Sequence, residues 1–381
     1  MFDIKVLPAA VTECTNNGSF LQTPFWADFK SRHGWTSKRY SLDITYNGQT
    51  NTAEVSVMNR SFAKNRFSIA YVPLFPALPF DRAEISPQDQ TIEFANLLHD
   101  IAFALKPELP KNTIAIRFDP AVEFDDFLEM AAFNKGIKIV SFADKLKLKK
   151  NSVDIQPPDT TLVDLTVDEE EIMNRMHSKW RYNIRLSQKK GVEIKRYLGN
   201  NLNLSEKIDK FYELTKETNA RDGNSSHAKA YYLDLIKASA EEIAAGKDVP
   251  EVSLYIAEHE GEEIAAIMTL FSHDEAVYLY GASSNHKRNL MPNHLLQWTA
   301  MKDAKAYGSK YYDMYGMPPE GEDENHPMHG LYMFKANFGG RIIHRIGSWD
   351  IPFKNIYTLY IAAEKLRAFW HKKVIKKLKG R

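Results

Sequence analysis

A single cysteine, Cys14, stands in a chain of 381 residues, so no disulfide can form within it. That usage fits a reducing compartment, and a cytoplasmic setting is the expectation. Uninterrupted apolar runs long enough to cross a bilayer are missing. The opening Met-Phe-Asp-Ile-Lys-Val lacks a basic start followed by an apolar core, so no signal peptide is expected. Net charge is almost absent: 50 basic residues face 49 acidic ones, and any electrostatic footprint must be local. No Ser-His-Asp or Cys-His order stands out. The histidines are scattered. His326-Pro-Met-His329 lies in an acidic loop without further ligand spacing, so no metal is expected, and a lid-like role suits that loop as well.

What is present points to two domains, because the chain is too long for one ordinary core. Hydrophobic residues at 44 % and charged residues at 26 % are the profile of a soluble globular protein. The chain is organised around Tyr278–Asp350. This stretch holds Tyr278-Leu-Tyr280-Gly-Ala-Ser-Ser, Tyr311-Tyr-Asp313-Met-Tyr-Gly316 and Tyr332-Met-Phe334-Lys335-Ala-Asn-Phe-Gly-Gly340. Aromatics, glycines and one lysine recur there at expected loop positions, where a packed core would not need them.

The first half reads as alternating helix and strand. Thr23 caps a helix that begins at Pro24 and carries Phe25, Trp26, Phe29 and Lys30. Strands 39–46 and 51–60 flank the hairpin signal Asn47-Gly48. A strand over 67–72, a helix over 91–105 and a buried strand from 113 to Asp119-Pro120 follow. A short helix (123–134) and a strand (137–141) complete the half. Residues 143–160, lysine-rich and then Pro157-Pro158, read as a crossing between domains.

In the second half Asp168 caps one helix running to Lys189-Lys190, stopped by Gly191. A strand (192–197), helices from Ser205 and over 228–244, a meander (252–258, 264–272, 276–280), a helix over 292–307 and strands over 310–315 and 342–349 follow. Both halves resemble one acyltransferase-like α+β unit; without a residue-level repeat, duplication is an expectation from topology alone.

Four blocks carry a resemblance to a known family. They are Phe20-Leu-Gln22-Thr-Pro-Phe-Trp26-Ala-Asp-Phe-Lys30 and Lys179-Trp-Arg181-Tyr182-Asn-Ile-Arg185 closing with Lys189-Lys-Gly-Val. The third is Tyr280-Gly-Ala-Ser with Pro292, Leu295-Leu-Gln-Trp298 and Tyr312-Asp313. The fourth is Gly330-Leu-Tyr-Met-Phe334-Lys335 with Phe338-Gly-Gly340 and Gly347-Ser-Trp-Asp350. In this order they resemble the FemABX family, the aminoacyl-tRNA-dependent transferases of the peptidoglycan bridge, and span nearly the whole chain. The resemblance implies an α+β fold of two tandem GNAT-like domains. It assigns 1–155 with 350–381 to the first (precursor side) and 156–349 to the second (aminoacyl donor side). The coiled-coil arm of some members has no counterpart, since 200–250 has room only for ordinary helices. The family's Pro-x-Gly-Pro has Tyr71-Val-Pro-Leu-Phe-Pro76 in its place, without glycine.

Acyl-CoA enzymes of this fold hold pyrophosphate on a glycine-rich turn before a helix. Ser284–Met291 lacks those glycines, which argues against coenzyme A. The resemblance places Phe334 and Lys335 at the reaction centre, with Lys335 as the cation for an oxyanion. It places Lys30, Asp119 and Arg181 toward the precursor, with Tyr182 and Arg185 beside them; for Arg185 alone a solvated helix face is the better reading. Asp313 and Asp119 are candidate bases, with Asp119 the better fit to orienting substrate and Asp313 equally a structural acceptor for the Tyr-Gly turn; water or the substrate's own groups are the other candidates. Tyr278 and Tyr280 alternate on one strand and so share a face, as cleft lining or as core.

The expected activity is transfer of an amino acid from aminoacyl-tRNA to the diamino acid of a peptidoglycan precursor (UDP-MurNAc-pentapeptide or lipid II), with no cofactor and no covalent enzyme intermediate. The competing readings are a GNAT-fold N-acyltransferase of surface-polysaccharide synthesis with another donor, and a non-catalytic double-GNAT binding protein. The tail, Lys365–Arg381, reads as a basic amphipathic helix. It suits docking against the fold, tRNA phosphates or peripheral contact with the anionic inner face of the membrane.

Overall fold

The structure is a computed structural model that describes residues 2–8, 19–223, 225–318 and 328–369. Cys14, His326 with most of its acidic loop, and the tail beyond Phe369 lie outside the described residues. The first half contains β1 (Asp3–Pro8), α1 (Pro24–Arg32), β2 (Thr36–Tyr46), β3 (Gln49–Phe62), β4 (Phe67–Pro73), α2 (Pro87–Leu105), β5 (Thr113–Asp119), β6 (Glu123–Phe124), α3 (Phe127–Ala143) and β7 (Lys149–Lys150). The second contains β8 (Asp159–Asp164), α4 (Glu169–Arg175), α5 (Ser178–Lys189), β9 (Glu193–Tyr197), α6 (Leu204–Asp222), α7 (Lys229–Ala244), β10 (Glu251–His259), β11 (Glu262–Phe271) and β12 (Glu275–Ser283). It continues with α8 (Pro292–Tyr307), β13 (Tyr311–Asp313), α9 (His329–Ala336), β14 (Arg341–Arg345), β15 (Trp349–Pro352) and α10 (Tyr357–Phe369).

Two mixed sheets result. The first runs β1-β2-β3-β4-β5-β15-β7 and the second β6-β14-β8-β13-β12-β11-β10-β9. Each contains an antiparallel meander, then a crossover helix, then a parallel strand: β2-β3-β4-α2-β5 and β10-β11-β12-α8-β13. The fold is α+β with two tandem GNAT-like units. Helices α6 and α7 pack on the second sheet as ordinary helices, and no arm projects among the described residues.

Local chemistry explains many boundaries. The Thr23 side chain accepts from the Trp26 amide, and Asp168 accepts from Glu171. Asn47-Gly48 and Glu260-Gly261 turn their hairpins with both residues at positive φ. The second sheet is covered on both faces. Ile208, Phe211, Leu235 and Ile236 of α6 and α7 fill one face, joined by Phe25, Trp26 and Phe29 of α1. Ile184, Leu296 and Met301 of α5 and α8 fill the other. The two halves therefore share a core.

Four expectations need correction. Residues 127–143 are one helix, not a helix and a strand; α3 is apolar on its buried face and also exposes Leu128, Ile139 and Phe142, so Ile137 and Ile139 imitate strand alternation. The helix expected from 168 to 190 is two. Met176 is extended, the His177 ring caps α5, and the Arg181 guanidinium donates to Asn174 O (3.1 Å) and Met176 O (2.5 Å) at the end of α4. The strand expected at 342–349 is β14 in the second sheet and β15 in the first; Gly347 (φ +66°) lies between them where the chain crosses back. Phe334 and Lys335 lie on a helix, α9, rather than a loop.

The return to the first sheet is fixed by charge. Arg117 on β5 forks onto Asp350 (Nε–Oδ1 2.6 Å, Nη2–Oδ2 2.8 Å) and reaches Glu364 of α10 at 3.1 Å. Tyr357 Oη donates to Asp350 at 2.8 Å, and Asp350 is fully buried. Breaking one side strands a charge, whereas replacing both sides does not. Arg117→Met is expected to cost about 3–5 kcal/mol in urea unfolding, and Arg117→Met with Asp350→Leu distinctly less. Equal losses in the two variants would contradict this.

Candidate functional site

β12 and β13 pair in parallel only over Glu275–Val277 and Tyr311–Asp313, then part. The opening exposes carbonyls to the interior, and one cation satisfies them. Lys335 Nζ donates to Met314 O (2.8 Å), Gly316 O (2.8 Å) and Tyr315 O, and lies 5.0 Å from the centre of the Tyr278 ring. Tyr315 (φ +52°) and Gly316 (φ +33°) make the turn that presents these carbonyls. Burial pushes the Lys335 ammonium down to about 7, opposed by the Asp313 charge. The three carbonyls also favour the charged form.

Asp313 is buried at the end of β13. Oδ1 accepts from the Tyr315 amide (2.6 Å) and from Thr160 Oγ1, and Oδ2 lies 3.8 Å from Arg345. Its carboxylate thus holds the turn that holds Lys335. Phe334 packs edge-on against His294 and Phe338, each 5.3 Å away. Trp180 Nε1 donates to Phe334 O at 3.0 Å, which ties α5 to α9.

A hydrogen-bonded relay connects this cradle to Asp119. Tyr315 Oη donates to Gln156 Oε1; Gln156 Nε2 donates to Tyr71 Oη (3.1 Å); Tyr71 Oη donates to Asp119 Oδ2 (2.5 Å). Asp119 also accepts from Ser348 Oγ and the Gln156 amide. Burial pushes the Asp119 carboxyl up, opposed by the Ser348, Tyr71 and Gln156 donors. Tyr71, Gln156, Tyr315 and Ser348 were missed as site residues from sequence. Tyr315 lies beside the Tyr-Gly turn, Ser348 within Gly347–Asp350 and Tyr71 at the head of Tyr71–Pro76, whereas Gln156 has no local signal.

Lys30 on α1 sits among rings: Tyr231 at 5.2 Å, Trp26 at 5.7 Å and Trp35 at 5.8 Å. Its Nζ is 3.4 Å from Tyr231 Oη, and no carboxylate among the described residues lies within ion-pair distance. Burial, then the Arg60 charge, pushes it down to about 8. A desolvated cation without a carboxylate suits an anionic ligand. Burial pushes the Tyr280 phenol well up, and the nearby Tyr231 and Tyr315 add to it. Tyr280 therefore stands between the Lys30 pocket and the Lys335 cradle.

Tyr278 and Tyr280 do not share a face. Tyr278 faces Thr269 and Tyr280 faces Met268, so Leu279 is an inserted residue, and alternation breaks there. Tyr280 packs with the α6–α7 face and Tyr278 with the α5–α8 face. Gly281 makes this possible, since a Cβ there would lie 1.8 Å from Tyr278 Oη. Arg181, Tyr182 and Arg185 ride on α5, across the second sheet from Lys30. Arg181 caps α4, while Tyr182 and Arg185 are exposed.

The turn before α8 is already occupied by a carboxylate. Glu217 Oε1 accepts from the Asn285 amide (2.6 Å) and Ser284 Oγ (3.3 Å), which would repel a diphosphate there. No cluster of His, Cys, Asp and Glu suited to a metal occurs among the described residues.

Lipid II:glycine glycyltransferase of Staphylococcus haemolyticus (strain JCSC1435) is 26 % identical over 430 residues, covering 96 % of each chain. That of Staphylococcus epidermidis (strain ATCC 12228 / FDA PCI 1200) is 24 % identical over 423 residues, covering 96 % of this chain and 95 % of the other. The crystal structure of FemX superposes with a TM-score of 0.66 at 21 % identity, covering 91 % of this chain and 95 % of that one, and shares the fold. The model of the FemAB family matches residues 10–245 and 239–365, and with nearly the whole chain so matched, the protein belongs to the FemAB family.

Proposed function

We propose that the protein moves an amino acid from aminoacyl-tRNA to the side-chain amine of the diamino acid in a peptidoglycan precursor, UDP-MurNAc-pentapeptide or lipid II, and so builds the interpeptide bridge. Membership of the FemAB family and the likeness to lipid II:glycine glycyltransferases support this class of aminoacyltransferase. The observation that carries it is the Lys335 cation, buried where β12 and β13 part.

The acceptor amine attacks the ester carbon. A C–N bond forms and the C–O bond to ribose breaks; the amine gives up a proton to water or to the substrate's own groups, and the ribose oxygen takes one as it leaves. A fixed cation beside the oxyanion contributes about 3 kcal/mol per donor. Lys335 serves as that cation when one of its carbonyl bonds yields to substrate. Held near 7, it can also protonate the leaving oxygen at neutral pH. Phe334 walls the centre, and Asp313 keeps the cradle in place. A role for Asp313 as base would require it to release the Tyr315 amide.

Lys30 takes the acceptor's diphosphate, and Asp119 orients its peptide through the Tyr71–Gln156 relay. Tyr280 lines the path between them, and Tyr278 supports Lys335 from the other face. Arg181, Tyr182 and Arg185 offer a second acceptor contact on α5. In this division 1–155 with 350–381 serves the acceptor and 156–349 the donor. Glu217 at the Ser284–Met291 turn weighs against an acyl-CoA donor.

The deciding experiment supplies purified protein with muramyl-pentapeptide precursor and charged tRNA, with and without RNase. Transfer abolished by RNase is expected; transfer that survives it contradicts a tRNA donor, and no transfer with any charged tRNA would favour a binding protein. In the same assay Lys335→Met should lower turnover about 100-fold with precursor binding kept. A second outcome concerns pH. Only protonated Lys30 attracts the diphosphate, so the acceptor KM should rise as pH passes about 8, and Lys30→Gln should flatten that rise. An unchanged profile in Lys30→Gln would remove Lys30 from the site.

A further inference from the structure

α3 breaks the usual pattern of a surface helix. Met130, Phe133, Ile137 and Val140 bury one face in the core of the first sheet. The opposite face is also apolar: Leu128 is 74 %, Ile139 59 % and Phe142 88 % exposed. At roughly 100° per residue, Leu128, Ala132, Lys135, Ile139 and Phe142 form one stripe. A stripe that exposes three large apolar side chains around a single lysine normally meets a partner.

Charge surrounds the C-terminal half of that stripe. Residues 135–150 hold six lysines and one acid, Asp144, a local balance of +5 in a chain that is almost neutral overall. After α3 the chain reads Lys145-Leu-Lys147-Leu-Lys149. Leu146 and Leu148 are buried in the core, so the lysines between them stand outward. They line an open groove of about 970 Å³ with Phe142 and Lys138. A second groove of about 510 Å³ continues past Lys147 and Lys149 to Lys354 and to Lys365 on α10. The acids of the helix lie at its other end: Asp126 caps it and Glu129 faces Arg82 at 3.9 Å.

An apolar stripe flanked by lysines is complementary to one surface in particular. Nucleic acid would use the lysines but leave Ile139 and Phe142 in water, and a purely apolar partner would leave the lysines unpaired. We propose that the C-terminal half of α3 and the lysine hook 145–149 dock the protein on an anionic bilayer, with Ile139 and Phe142 entering the headgroup–acyl boundary and the lysines meeting lipid phosphates. No helix among the described residues is long and apolar enough to cross a membrane, so this contact is peripheral. The hook adjoins the candidate site: Lys150 binds Asp154 (2.6 Å), Asp154 accepts from the Ser348 amide (2.6 Å), and Ser348 donates to Asp119. Docking would thus bring Asp119 close to the membrane plane. The docking itself does not depend on the transfer reaction; joined to the proposed function, it selects the lipid-linked acceptor over the soluble one.

The test is flotation of the full-length protein with vesicles of phosphatidylcholine alone or with about one-third phosphatidylglycerol. Binding to the anionic vesicles only is expected, weakened by salt. Ile139→Ser with Phe142→Ser, and separately Lys145→Gln with Lys147→Gln and Lys149→Gln, should each weaken it about tenfold or more. Both sets lie on the surface, and transfer to a soluble precursor should stay at the wild-type rate. Loss of vesicle binding with soluble transfer intact supports the docking face. No vesicle binding by the wild type, or binding that both sets of variants retain, overturns it. So does a dimer that Ile139→Ser with Phe142→Ser dissociates, which makes the stripe an interface between copies. A lysine set that loses tRNA while keeping vesicles also overturns it. Failure of transfer with every charged tRNA, beside intact vesicle binding, would sink the proposed reaction and leave the docking standing.

Discussion

One buried ammonium holds the centre of this protein together. Where β12 leaves β13, carbonyls of the chain point into the interior without a strand to receive them. Unpaired polar groups there would cost several kcal/mol. Lys335 satisfies Met314, Tyr315 and Gly316 at once, and the Tyr278 ring covers it. The neighbours follow from that arrangement. Asp313 pins the Tyr315 amide, Gly281 leaves room for the tip of Tyr278, and the inserted Leu279 sends Tyr280 to the opposite face.

The same desolvation acts on Lys335 and on Lys30. Lys335 is surrounded by carbonyls and Lys30 by three rings, and burial lowers each toward neutrality. Between them run neutral hydroxyls and one amide: Tyr231, Tyr280, Tyr315, Gln156 and Tyr71. A tract of this kind would hold an anion through few, weakly hydrated charges, so the proposed site needs no excess of basic residues over the whole chain. The near-zero net charge hid this site and the basic hook alike, because both are local features of a balanced sequence.

Much of the fold was legible because short-range chemistry dictates it. Thr23-Pro24, Asp168, Asn47-Gly48 and Gly191 each force a cap, turn or stop whatever surrounds them. Order of elements and the doubled topology followed from period and turn signals. Failures arose where tertiary context decides. α3 reads as helix plus strand because its outer face carries large apolar residues, and only the structure reveals that Leu128, Ile139 and Phe142 stand exposed there among the described residues. The break between α4 and α5 depends on Arg181 reaching back to Met176. At the site, Phe334 and Lys335 were visible through their family-like segment. The acceptors of Lys335 were not, since they are backbone carbonyls about twenty residues away, and no side-chain pattern marks them. Gln156 and Ser348 are uncharged residues far apart in sequence, joined only when the chain crosses between sheets at Gly347.

Burial should leave Lys335 a cation that exchanges its proton near neutral pH. Isotope-edited NMR of the lysine side chains across a pH series measures this directly, alongside single-turnover aminoacyl transfer over the same range. The expected result is one lysine titrating near 7, absent in Lys335→Met, with the transfer rate changing at the same midpoint. A Lys335 signal that stays protonated up to the ordinary lysine value of 10.5, with a rate indifferent to its ionisation, would contradict it.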